Sequence, residues 1–306
     1  MSAYLVRRLV YSIAVVVGVS VFVFIITHLV GDPARVILPI HASEEQYQQT
    51  REQLGYNDPL YEQFARFMGK AVQGDFGDSL WFDRPALPLV FDRLPATFLL
   101  VGTAMIIAVV LAVPLGILAA IRPRSWLDHT ATLLSMVGMS IADFWLGLML
   151  IYIFPVSLGL FYTSGYGTWE HLVLPAVTLA ARPLGRITQI VRSSVLDELD
   201  KNYVMAARAR GLSEQMTLGG HALRNALIPI VTLTGFELTR LLAGFTVIVE
   251  AVFAWPGVGL LAVDAIKNQD LPLLQADVFV VALIVVVINL AVDLSYGLLD
   301  PRIRYT

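Results

Sequence analysis

Cysteine is absent from this 306-residue chain. That excludes disulfides and thiolate metal sites and leaves the compartment open. Charge is scarce as well. Only 15% of the residues are Asp, Glu, Lys or Arg, against about 25% in an ordinary soluble domain. The net charge of −3 leaves no basic footprint for nucleic acid. No G-x-x-x-x-G-K-[ST] occurs, so the chain lacks a phosphate-cradling loop of that type. No H-E-x-x-H occurs either, and His28, His41, His129, His171 and His221 are scattered without metal-ligand spacing. No paired catalytic motif is present. The chain reads as a non-enzyme, and any ATP-driven step requires another chain to bind the nucleotide.

Apolar residues fill the gap. They make up 57% of the chain, its mean hydropathy is +0.71, and they come in long blocks. Six blocks qualify as membrane spans: roughly 9–30, 97–121, 133–158, 172–195, 227–250 and 278–299. Each is long enough to cross about 30 Å of hydrocarbon as a helix. A closed β-barrel would show shorter alternating segments. The fourth block is the weakest, because Arg182, Arg186 and Arg192 lie in it. The first follows Arg7 and Arg8, is longer than a signal-peptide core and ends in no cleavage pattern, so it reads as an uncleaved anchor.

Lys and Arg near the span ends set the orientation. One side collects Arg7, Arg8, Arg122, Arg124, Arg186, Arg192, Lys201, Arg208, Arg210, Arg224, Arg302 and Arg304. The loops 159–171 and 251–277 on the other side hold only Lys267. Both termini are therefore expected in the cytoplasm. Segment 31–96 carries six basic and ten acidic residues and is too long for a bare connection. Ser43 followed by acids and then Gly55 reads as a capped helix, and Pro59 opens a second one. A small external helical subdomain over 32–96 is expected, between the first span (1–31) and a core domain (97–306).

The stretch Tyr203–Pro229, YVMAARARGLSEQMTLGGHALRNALIP, is charged and helix-prone although apolar blocks flank it. Met205, Ala206, Ala207 and Ala209 favour helix, and Gly211 is a natural stop. Ser213 and Glu214 suit the start of a second helix running through His221 towards Asn225. Small residues permit close approach by a partner, and arginines pair with its carboxylates. Residues alone leave two readings: a docking segment, or an amphipathic loop on anionic lipid.

This stretch resembles the cytoplasmic EAA loop of permease subunits in binding-protein-dependent ATP-binding-cassette importers. It is closest to the dipeptide/oligopeptide/nickel branch, whose pattern is near Y-V-x-T-A-R-A-K-G-L followed by H-A-L-x-N-A-L-x-P. Two departures stand out: the superfamily glutamate is absent, with Met205 in its neighbourhood, and Ala206 stands where the branch usually has threonine. Further segments are similar to the family in order along the chain. They are GDFGDSLWFDRPALPLVFDRLPATFLL (74–100), TSGYG (163–167), HLVLPAVTLA (171–180), VRSSVLDELDKNYV, VEAVFAWPGVGLLAVDAI and LDPRIRYT. The resemblance implies an all-α integral membrane protein with six transmembrane helices in the type I, MetI-like importer permease fold.

It also implies partners: a second, similar permease, one or two ATPase subunits carrying ATP and Mg, and an extracytoplasmic binding protein that delivers cargo. The location implied is the bacterial cytoplasmic membrane. A coupling loop at about 200–226 would dock on the ATPase through Tyr203, Ala206, Ala207, Arg208, Ala209, Arg210, Gly211 and Leu212. Di- or oligopeptide is the expected cargo; nickel chelates, glutathione, haem-like molecules and oligosaccharides are the alternatives within the branch. A stand-alone secondary carrier is the rival class, although no inverted repeat or pair of broken spans supports it.

Ionisable residues inside the membrane are functional candidates by default. Asp143, Glu237 and Arg240 fall ~15–20 Å into spans three and five, with Glu237 and Arg240 on one helix face. The family usually has small, uncharged residues near positions 143 and 240, so these charges are departures to which the resemblance assigns no role. Two readings stand. Either Asp143–Arg240 or Glu237–Arg240 forms a self-neutralising pair, or these groups line the pathway, with Arg240 meeting a cargo carboxylate and Asp143 or Glu237 an ammonium. Glu250 and Trp255, beside the rigid turn of Pro256, Gly257 and Gly259, are further pathway candidates. Asn289 and Asp293, four apart in span six, are expected to hydrogen-bond between helices.

Overall fold

The computed structural model describes residues 2–30, 43–53 and 57–299. Every regular element among them is helical, with one isolated antiparallel bridge between Asp78 and Pro85. In chain order the helices are α1 (Ser2–Val30), α2 (Glu44–Gln53), α3 (Leu60–Val72), α4 (Ala86–Ile121), α5 (Trp126–Ser140), α6 (Asp143–Ile151), α7 (Trp169–Leu199), α8 (Asn202–Ala209), α9 (Glu214–Thr217), α10 (Leu223–Arg240), α11 (Thr246–Phe253), α12 (Val258–Lys267) and α13 (Leu271–Leu299). Wider π-type turns follow α6 (Tyr152–Ser157), α9 (Leu218–Ala222) and α10 (Leu241–Phe245). The fold divides into two units: 1–97 with 256–287, and 98–255 with 288–305.

In the first unit, α2 opens with a reciprocal cap. The Gln46 N–H donates to Ser43 Oγ and the Ser43 N–H to Gln46 Oε1, which satisfies two donors that a helix start otherwise leaves open. Phe residues then join the elements. Phe24 of α1 packs edge-on to Phe64 of α3 at 5.4 Å, Phe67 meets Phe76 at 6.3 Å, and Phe76 meets Phe279 of α13 at 5.2 Å. Around them lies a core of Val90, Leu94, Leu261, Leu273 and Ala276. Asp270 is fully buried beneath this core. It caps α13 by accepting the Leu273 N–H, and holds the 79–81 turn through Ser79 Oγ and the Trp81 N–H.

In the second unit, α7 packs against α5, α6 and α10. Glycine sets the closeness of the α5–α7 contact: a Cβ on Gly185 would lie 2.5 Å from the Ser135 carbonyl oxygen, and one on Gly138 2.8 Å from that of Ala181. Backbones therefore touch where a side chain would separate them, the usual device for helix pairs in lipid.

The apolar blocks behave unequally. Among the described residues, α4 and the Leu271–Val292 part of α13 are each long and apolar enough to cross a membrane alone, and two bent helix pairs raise the number to four. Block 133–158, expected as one span, is divided: α5 and α6 meet at 101°. Ile141 and Ala142 adopt extended backbone there, with ψ of 133° each. Asp143 follows as the first residue of α6, where a carboxylate complements the positive end of the helix dipole. It thus occupies a helix start and not the middle of a continuous span. We expect Gly185→Ala to cost about 1–3 kcal/mol by forcing α5 and α7 apart. Thermal unfolding of the purified protein in detergent measures this, and an unchanged midpoint would refute the close-contact argument.

Candidate functional site

Three arginines of α7 reach carboxylates on three other helices. Arg182 Nη2 lies 3.5 Å from Asp143 Oδ1 on α6, and 3.4 Å from the Ile141 carbonyl that the α5–α6 break leaves open. Arg186 Nη1 donates to Glu237 Oε1 on α10 at 3.0 Å. Arg192 clasps Asp128 on α5 through two nitrogens, with Nη2 2.8 Å from Oδ2. Arg240 approaches Glu237 only to 3.8 Å. Of the two pairs expected from sequence, the structure forms Glu237–Arg240 as the looser contact of Glu237, while Asp143 pairs with Arg182 and not with Arg240. Spacing within one helix pointed to Glu237–Arg240; the stronger partners come from the arginines of the fourth apolar block.

Asp143, Arg182, Glu237, Arg240 and Phe245 line one cleft with space for about a single water molecule. Phe245 was not singled out in the sequence. Its ring lies 4.9 Å from the Arg240 guanidinium and 5.6 Å from that of Arg182. Towards the other end of α7, a wider groove of ≈ 490 Å³ is bordered by Arg186, Gln189, Arg192 and Thr132. Glu250 and Trp255 are fully buried and border neither space. Trp255 packs edge-on against Tyr166 at 4.9 Å, and its N–H closes the end of α11 on the Glu250 carbonyl. Asn289 accepts a hydrogen bond from Thr239 Oγ1 at 3.1 Å, linking α13 to α10. The side chains of Asp293, Glu214 and His221, and the LDPRIRYT end from Asp300 onward, lie outside the described residues.

The 203–212 segment forms α8 and the turn after it. Val204 and Ala207 face inward and are buried, while Met205, Ala206, Arg208, Ala209 and Arg210 are exposed. Gly211 has φ +81°, and the Leu212 N–H returns to the Ala207 carbonyl, which closes the helix. Tyr203 fixes the helix start: its hydroxyl donates to Glu198 at the end of α7 and accepts from Asn225 of α10 at 3.0 Å. Partial burial, then the bond to Glu198, push the phenol above its usual range, so it stays a neutral donor. Both Tyr203 and Asn225 stood in the sequence motif; their contact, across 22 residues, did not.

The profile of the "binding-protein-dependent transport system inner membrane component" family matches residues 112–305, and its N-terminal counterpart matches 1–101. The chain belongs to this family. Across its whole length it is 38% identical to the oligopeptide transport system permease protein AppB of Bacillus subtilis (strain 168), covering 100% of both chains. It is 39% identical to the glutathione transport system permease protein GsiC of Escherichia coli (strain K12), covering 99% of both. A chain of the inward-facing MetNI methionine ABC transporter superposes with a TM-score of 0.60 at 19% identity, covering 69% of this chain and 96% of that one. A chain of an amino acid ABC transporter with histidines gives 0.54 at 19% identity, covering 71% and 94%. These likenesses establish the permease fold and an inner-membrane component of binding-protein-dependent import.

One ion pair of this permease is open to a pH test. The hydrogen bond from Arg192, chiefly, with the Arg124 N–H and the nearby charges, outweighs burial and holds the Asp128 carboxyl at about 2, below its ordinary 3.8. A lowered folded-state value means that the stabilisation is complete above the ordinary value and lost as pH falls through the folded one. We expect Asp128→Asn to unfold at a lower temperature at neutral pH, and the gap from the parent to close as pH falls through 3.8 towards 2. A gap that stays constant over that range would contradict the pairing.

Proposed function

We propose that this chain is one of two permease subunits of an ATP-driven importer of di- and oligopeptides. Full-length identity to an oligopeptide permease carries this reading. The second relative handles glutathione, itself a modified tripeptide, which keeps the cargo class the same. In this reading six spans cross the membrane, the third of them broken at Ile141–Ala142. Both termini lie in the cytoplasm, and the 32–96 region faces outward. A second permease completes the pathway, an extracytoplasmic binding protein delivers peptide, and ATPase subunits bind ATP and Mg.

The exposed face of α8 is the surface that meets the ATPase. Met205 offers an apolar contact, Ala206 and Ala209 allow close approach, and Arg208 and Arg210 face acidic groups. Closure of the ATPases on nucleotide then biases an inward-open against an outward-open packing. Tyr203, bonded to both α7 and α10, makes α8 a rigid attachment to the helices that carry the charged cleft.

Gly211→Pro asks proline for a φ of +81°, which its ring forbids. We expect this variant, and separately Arg208→Glu combined with Arg210→Glu, to insert normally yet lose peptide uptake and peptide-stimulated ATP hydrolysis. Normal stimulated hydrolysis by the reconstituted double variant would sink the docking role of α8.

A further inference from the structure

The ion-pair network around the cleft of the second unit carries unequal charge among the described residues. Arg182 and Arg240, which line the cleft, and Arg186, which borders the wider groove, share Asp143 and Glu237, three cations against two carboxylates. An unbalanced charge in a low-dielectric site is unfavourable until a counter-charge arrives. The surplus localises on Arg240. Its only carboxylate neighbour among the described residues, Glu237 Oε1, is 3.8 Å away and already accepts from Arg186 at 3.0 Å. Arg240 makes no hydrogen bond among the described residues. It is held instead over Phe245 at 4.9 Å and Phe236 at 5.8 Å. Arg182 is under-satisfied too: its Nε is buried without a hydrogen-bond partner among those residues.

Two guanidinium groups with unused donors thus share one aromatic ring. That arrangement receives a planar carboxylate through paired N–H donors. The cleft has room for about one water, so one oxygen of a terminal carboxylate can enter it while the rest of a peptide stays outside. The wall is irregular as well. Immediately after Arg240 the helix widens into the π-type turn Leu241–Phe245, where Gly244 has φ +144°. At membrane depth, irregular backbone is tolerated where it is buried in protein or lines a water-filled cavity, and Phe245 of this turn lines the cleft.

We propose that Arg240, assisted by Arg182 over the Phe245 ring, binds the C-terminal carboxylate of peptide cargo during passage. This rests on the peptide-import reading above. The test reconstitutes the complete complex in proteoliposomes and measures accumulation of trialanine and of trialanine amide. The binding protein is the same for parent and variant, so the change in the acid-to-amide ratio isolates the permease. We expect Arg240→Gln to reduce uptake of the free acid by about tenfold while amide uptake changes little, with Arg240→Lys recovering part of the loss. Equal loss of both peptides overturns the proposal, because it makes Arg240 a structural partner of this chain or of the second permease. No loss of either overturns it as well.

A second measurement covers a parent that does not carry the amide, or a Gln variant that does not assemble. The chain has no cysteine, so Phe236→Cys places a single thiol beside Arg240. Free trialanine, and not its amide, is expected to slow labelling of that thiol, and Arg240→Lys is expected to weaken the protection. Equal labelling with acid, amide and buffer overturns the carboxylate site. A parent complex that neither accumulates trialanine nor hydrolyses ATP faster in its presence refutes the peptide-import reading itself, a different failure from those above.

Discussion

Arg182, Arg186 and Arg192 stand on one helix and reach carboxylates on α6, α10 and α5. In a bilayer, apolar faces gain little by leaving lipid for one another, so helix association relies on close packing and on polar contacts. α7 supplies both. Gly185 brings its backbone against α5, and its arginines bind the neighbours that glycine has let near. Each pair also makes its own members tolerable at depth. Removing one partner from a buried pair typically costs about 3–5 kcal/mol, since it strands the other charge. The second unit is therefore held by a few directional contacts whose geometry leaves little slack.

The first unit is built differently. It joins its elements through aromatic rings and a broad apolar core, and the buried carboxylate of Asp270 orders the turn at 79–81 and the start of α13. Such packing is cohesive and only loosely directional. The segments of this unit come from both ends of the sequence, 1–97 and 256–287. The 57–97 region consequently shares its core with helices that a linear domain map assigns elsewhere.

Much of this was legible in the residues. Ser43 and Pro59 marked helix starts because capping chemistry is local. Gly211 marked the end of α8 because a left-handed turn is costly for other residue types. Hydropathy located α4 and α13, whose stretches carry few charges. It misjudged 133–158 because the break there comes from two backbone angles, at Ile141 and Ala142, and neither side chain announces it. Ion-pair partners were half legible. Glu237–Arg240 followed from spacing along one helix; Arg182–Asp143 and Arg186–Glu237 depend on which helices are neighbours, and that is a tertiary fact. Burial of Glu250 and Trp255 inside the 250–257 corner was hidden for the same reason.

The Tyr203 hydroxyl bridges Glu198 and Asn225. Asn225 begins a run of helix that continues to Arg240 with one backbone hydrogen bond missing at Pro229, about 23 Å at the usual rise. In the proposed mechanism α10 is the lever, with the α8 surface at one end and the guanidinium over Phe245 at the other. A tilt of a few degrees imposed at Tyr203 becomes a sideways sweep of about an ångström at Arg240, a distance that decides whether a charged hydrogen bond is made or broken.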